Sequence, residues 1–241
     1  MSLRHVLKLA LGLAMVAALS ASIAAQSPDR KTEGVVVIGA NVGSNTDSMN
    51  RVAEYDVAKD GTLPAVGAQL WGNNGTFRFD LLASHGGDSR DQKYAGTISA
   101  ADGRVKASFG FDRFLHRLDH DPLDYVGGSI ATFVVRATDY DAGSAYSTVN
   151  GIWNANVEVA ATDNLSFFAS HRMQMRDGTH QAMTTSHCAN CHIQYYGRKL
   201  DQTTQALALG ARFATDRFSL DYTYENRTFK DDASTPTNTY D

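Results

Sequence analysis

Hydrophobic and polar residues alternate with a period of two along most of this chain and almost nowhere follow the 3.6-residue period of a helix. The clearest run is Thr204 to Ala214. Gln205, Leu207, Leu209, Ala211 and Phe213 point one way, and Thr204, Ala206, Ala208, Gly210 and Arg212 the other, which predicts a strand with one apolar face. After a tight turn at Thr215-Asp216, Phe218, Leu220, Tyr222 and Tyr224 alternate with Ser219, Asp221, Thr223 and Glu225, completing a hairpin. The rhythm recurs at Trp153 to Val159 and Leu165 to Met173 around Asp163-Asn164. It recurs again at Tyr94 to Ala100 and Val105 to Phe111 around Asp102-Gly103. In each hairpin the second face is small or charged. The fold class this predicts is all-β, an antiparallel meander of long hairpins.

Alternation alone suits a soluble sandwich as well as a barrel, because both hide one face and wet the other. Two features favour part of a transmembrane outer-membrane β-barrel. Several runs reach the roughly ten residues a tilted strand needs to cross a bilayer. Aromatic residues also gather near strand ends, as at Tyr55, Trp71, Phe77, Tyr125, Tyr146 and Phe218, where an interfacial girdle would place them. Two connections read as long polar loops, Asp112 to Val126 and Arg176 to Lys199, while others are tight. The alternation of short and long connections slips between Phe111 and Thr162, so the pattern assigns no side of the membrane to either loop. The first strand, Val35 to Val42, is weakly patterned, and the chain ends in the polar stretch Lys230 to Asp241. The expectation is an open, incomplete curved sheet of about ten or eleven strands, with Val35 to Val42 not paired to Arg217 to Phe229.

The N-terminus changes the picture. Met1 to Lys8 carries the basic residues Arg4, His5 and Lys8, and an apolar run rich in Leu, Ala and Val then continues to Ala25 without a carboxylate. Small residues Ser22, Ala24 and Ala25 precede the polar Gln26-Ser27-Pro28-Asp29, so residues 1–25 read as a secretory signal peptide and 26–241 as the β-barrel domain. The run is short for an uncleaved anchor, and no later stretch has the roughly 20 apolar residues of a membrane helix. The formal net charge of −4 comes with no basic stripe, which argues against a nucleic-acid partner. A hydrophobic content of 43% is compatible with a barrel, whose strands are apolar on one side only.

Both cysteines of the chain stand in one motif, His187-Cys188-Ala189-Asn190-Cys191-His192. In C-x-x-C-H the two thiols add across the vinyl groups of haem and the following histidine ligates the iron. This predicts one covalent haem c, bound through Cys188 and Cys191 with His192 as proximal ligand, in a haem-binding loop of about residues 176–200. Export supports it, since bacteria attach haem c outside the cytoplasm. The competing readings are a C-x-x-C disulfide, which leaves His192 without a role, and half of a zinc site, which needs two more ligands from distant histidines. His180 or Met183 is the candidate distal ligand, because His187 abuts the first thioether. His116 and His120 would share a face on a helix, but Pro122 argues for a polar loop. Asp139 and Asp141 near Gly143 lack the ligand series of a calcium loop. Nothing resembles a nucleophile triad or a phosphate-binding loop, so no enzymatic turnover is expected.

The segments Asn50 to Tyr55 followed by Gly61, Phe77-Arg78-Phe79-Asp80-Leu81 and Phe109 to His116 resemble the N-terminal strands of the MtrB/PioB family of outer-membrane β-barrels. That resemblance is diffuse and covers most of the mature chain. It implies a porin-cytochrome conduit for extracellular electron transfer, in which the barrel sits in outer-membrane lipid and a periplasmic multihaem cytochrome c is inserted in or docked on it. Two departures stand out. Family barrels are several times longer, and their C-x-x-C, where present, lies near the N-terminus without the histidine. The expectation is therefore an N-terminal fragment with an inserted haem motif. The alternative is a soluble periplasmic β-rich monohaem cytochrome c acting as an electron shuttle, which would need no detergent.

Overall fold

The computed structural model describes residues 31–43, 54–55, 61–118, 136–141, 144–186 and 192–234. They form ten strands: β1 Lys31–Gly43, β2 Gly61–Asn73, β3 Arg78–His85, β4 Gln92–Ala100, β5 Val105–Leu118, β6 Arg136–Asp139, β7 Tyr146–Ala160, β8 Leu165–Ser186, β9 His192–Ala214 and β10 Ser219–Asp231. Nine of them make one antiparallel meander, β1-β2-β3-β4-β5-β7-β8-β9-β10, and β6 pairs in parallel with β9. The fold is therefore all-β, and the three hairpins anticipated from alternation are all present.

The ladders carry a single face assignment across the sheet. One row of registered residues reads Thr32, Gly72, Phe79, Ile98, Ala107, Val157, Ala169, Leu209 and Tyr224. The adjacent row, one residue along every strand, reads Glu33, Trp71, Asp80, Thr97, Ser108, Asn156, Ser170, Ala208 and Glu225. Because side chains alternate along a strand, the two rows lie on opposite faces. One face is thus apolar from edge to edge and the other small or polar. Trp71 departs from the girdle reading, since it stands on the polar face.

The connections explain the long-range order. At one end of the sheet, residues 74–77, 101–104, 161–164 and 215–218 each join two strands with four residues. Three of these turns carry, at their first or second residue, a polar side chain that bonds the backbone. Asn74 Oδ1 accepts from the Phe77 N–H at 2.9 Å, Thr162 Oγ1 from Leu165 at 3.0 Å and Thr215 Oγ1 from Phe218 at 3.2 Å. In the fourth, Ala101 and Asp102 take φ of 51° and 55°, and Gly103 N–H donates to Ala100 O at 3.1 Å, a type I′ turn centred one residue earlier than Asp102-Gly103. All other connections lie at the opposite end.

Two loop assignments need correction. Asp112 to Leu118 is not loop but the end of β5, paired with Tyr146 to Ile152 of β7. Their alternation is masked because both faces there carry charged residues. With β5 extended, the four-residue turns alternate without a slip with connections that are longer, by as little as one or two residues at 187–191 and 86–91. The small core also sits at this long-connection end, where Leu115 and Val149 are buried with Leu63 against them. Phe79 is also buried on the apolar face, beside Gly72, but towards the two edges of the sheet that face is uncovered: Ile38 is 82% exposed, Tyr222 64% and Leu209 49%.

The sheet is open. Among the described residues β1 pairs only with β2 and β10 only with β9, as expected for Val35 to Val42 and Arg217 to Phe229. The meander has nine strands, so β1 and β10 run in the same direction and antiparallel closure between them is geometrically unavailable. β1 is also apolar on both sides, Val35 and Val37 on the polar face and Val36 and Ile38 on the apolar one, which accounts for its weak pattern.

Candidate functional site

The second correction concerns the stretch 176–200. Rather than a loop, it is the outer half of the longest hairpin, with β8 and β9 paired continuously from Leu165↔Phe213 to Ser186↔His192. Cys188 and Cys191 fall outside the described residues, as does the side chain of His192. Their place in the chain is fixed: residues 187–191 connect the paired Ser186 and His192 at the long-connection end.

The ladder separates His192 from both candidate distal ligands. His180 pairs with Arg198, six positions down β8 from Ser186, which at the rise of an extended strand is roughly 20 Å from the His192 backbone. With bonds of about 2 Å to the metal, two imidazoles on one iron hold their Cα atoms within roughly 17 Å. Met183 is nearer along the strand. It pairs with Tyr195, three positions along β9 from His192, and its own side chain is on the apolar face. His180 is half-buried, and that burial, followed by the charges of Arg176 and Arg198, lowers its pKa despite an opposing backbone hydrogen bond at Gln181.

Three arrangements at this end escape sequence reasoning. First, β6 lies along the outer edge of β9, Arg136 opposite His192 and Asp139 opposite Tyr195. Second, Asp141, weighed in the sequence as a calcium ligand, accepts the Gly197 N–H instead. Third, His116 belongs to β5 rather than to a loop. Its Nε2 is 2.7 Å from Glu54 Oε1 and its ring stacks on Tyr55 at 4.6 Å, so it is not offered to a metal with His120, which lies outside the described residues. A four-residue strand carries too little pattern to be found by period, and the His116 contacts come from residues far apart in the chain.

The polar face holds a connected set of side chains. Arg212 Nε donates to Asp221 at 2.7 Å, its Nη1 is 3.7 Å from Glu158, and its guanidinium carbon is 5.8 Å from the centre of the Phe168 ring. Gln69 donates to both oxygens of Asp80 at 3.1 Å. Between these groups runs a groove of about 460 Å³ lined by Ser108, Asn154, Asn156, Ser170 and Arg172, with His171 also reaching it. At the edge of the band, the turn between β3 and β4 is fixed by Arg90, whose two bonds to Asp88, at 2.9 and 2.7 Å, hold the Asp88 carboxyl below its usual range.

Among the described residues no three His, Cys, Asp or Glu side chains converge on one point. Comparison with protein-family models, with curated proteins and with solved structures finds no match to this chain.

Proposed function

We propose that the chain is the outer-membrane β-barrel component of an extracellular electron-transfer conduit of the MtrB/PioB kind, carrying one covalent haem c on Cys188 and Cys191 with His192 as proximal ligand. The observation that carries the membrane part is the uncovered apolar face. On β8 it runs from Leu165 to Met175, broken only by His171; on the same face it ends at Arg113 on β5 and at Tyr224 on β10, where Asn226, Thr228 and Lys230 follow. Ten residue steps of about 3.3 Å, at the tilt of roughly 40° usual in membrane barrels, give a band about 25 Å tall, the height of an outer-membrane barrel's lipid-facing belt. Burial in lipid gives Leu209, Tyr222 and Ile38 a partner that water does not.

In such barrels tight turns face the periplasm and long connections the exterior. All four four-residue turns lie at the end where β1 begins, so the haem motif at the far end belongs outside the cell. The polar face becomes the lumen, where the groove beside Asn154 and Asn156 and the charges of Arg212, Glu158 and Asp221 suit a polar partner such as a multihaem cytochrome c. The donor set fits a c-type haem in type and order, two thiols three residues apart and an imidazole next to the second. Once attached, the haem supplies a one-electron couple, and the chain's own task is to hold His192 in place and keep the lumen polar.

Two measurements test the reading. Peroxidase staining after denaturing electrophoresis, in a host competent for haem c attachment, is expected to show a covalent haem that is lost in Cys188→Ala and Cys191→Ala. Absence of the band from the unaltered protein removes the haem. Fractionation is expected to place the protein in outer membranes, released by detergent. A soluble monomer in the periplasmic extract would favour the shuttle cytochrome instead.

A further inference from the structure

We infer that Asp141 is a positioning residue for His192, acting by locking β6 onto the outer edge of β9; the positioning role rests on the haem reading above. The outer edge of β9 has two tenants. From Gln202 to Ala214 it pairs with β10, and from His192 to Tyr195 with β6. Between them three bonds close the gap: Tyr140 N–H donates to Tyr195 O at 2.9 Å, Gly197 N–H donates to the Asp141 carboxylate, and Asp232 N–H donates to Asp201 O at 2.8 Å. A parallel pair only four residues long is weak by itself, since few bonds offset the ordering of its backbone. A carboxylate acceptor at its end adds a charge-assisted bond.

Packing around the junction shows that it is built for this contact. A Cβ placed on Gly197 would stand 3.0 Å from Thr179 Cγ2, 3.1 Å from Asp141 Oδ2 and 3.3 Å from Tyr146 Cε1, so a larger residue there would press on all three. Tyr146 is buried there, and Ser144 N–H donates to Asp141 O at 2.8 Å, turning the chain directly into β7. β6 is thus pinned at the end that follows Asp139. With Ser186 on its other side, the His192 backbone is held by strands on both edges. If His192 held the haem iron, so fixed a backbone would keep the imidazole in place.

The experiment compares Asp141→Ala and Asp141→Asn with the unaltered full-length protein in detergent. Asparagine keeps an oxygen that can accept from Gly197, and alanine does not. Amide hydrogen exchange over residues 193–200 is expected to quicken on the order of tenfold in Asp141→Ala, the factor that a net hydrogen-bond contribution of this kind corresponds to. The haem midpoint potential and visible spectrum are expected to shift in the same variant, and Asp141→Asn to restore both. Unchanged exchange in Asp141→Ala overturns the lock. Quickened exchange with an unmoved potential and spectrum overturns the positioning role. An Asp141→Asn that behaves like alanine shows that the hydrogen bond is not the cause. If the unaltered protein binds no haem, the positioning role falls with the functional reading, while exchange still decides the lock.

Discussion

The ring of Phe168 on β8 fills the space over Gly210, its registered partner on β9, so closely that no Cβ could stand at 210. Arg212 lies over the same ring and is tied to Asp221 and Glu158, which links β7, β8, β9 and β10 on the polar face. Phe109 over Gly96 repeats the arrangement on the apolar face. A one-residue slip would move each ring to the wrong side, so these pairs fix the register as well as filling space.

Gly210→Val is therefore expected to destabilise the sheet by about 1–3 kcal/mol, the usual cost of overpacking. The double variant Phe168→Ala/Gly210→Val should lose less than the sum of the two single variants without recovering fully, because the Tyr222 backbone oxygen also crowds a Cβ at 210. Denaturant titration of the four proteins of this cycle in detergent gives the coupling directly. Additive losses would mean that the ring does not occupy the space over Gly210.

Neighbouring residues on β7 are expected to answer oppositely to the same change. Val157→Arg puts a charge in the middle of the apolar face and should cost about 2–4 kcal/mol in a bilayer. Asn156→Arg, one residue earlier on the polar face, should stay within about 1 kcal/mol. Folding yields into lipid vesicles compare the two, and equal sensitivity would show that the apolar face does not meet lipid.

Acidification should loosen the outer part of the β8–β9 hairpin through His180. Its pKa lies below the ordinary 6.5 in the folded protein because burial and the charges of Arg176 and Arg198 disfavour the imidazolium. Between 6.5 and the lowered value, the unfolded chain binds a proton that the folded chain refuses. Stability is thus full above pH 6.5 and declines as pH falls through that window. Urea midpoints at pH 7.5 and 5 should differ less in His180→Gln than in the unaltered protein.

His180→Ala and Met183→Ala are both expected to leave the haem spectrum and its potential unchanged. One residue is about 20 Å down the ladder, and the other is paired with Tyr195 rather than with His192. A high-spin shift in either variant would show that the hairpin rearranges around the haem.

The sequence by itself determined the all-β meander, the apolar side of each hairpin and the haem motif. Alternation is a local property, and Leu207, Leu209, Ala211 and Phe213 show it whatever they pair with. It could not determine where β5, β8 and β9 end. From Asp112 to Leu118, and on both strands of the hairpin's outer half, polar residues occupy both faces, so strand and loop look alike. Only pairing in the folded sheet made strands of them. That extension restored the alternation of tight and long connections, moved His180 away from His192 and brought Asp141 to Gly197. Each of these is a distance across strands, set by register rather than by any residue's neighbours in the chain.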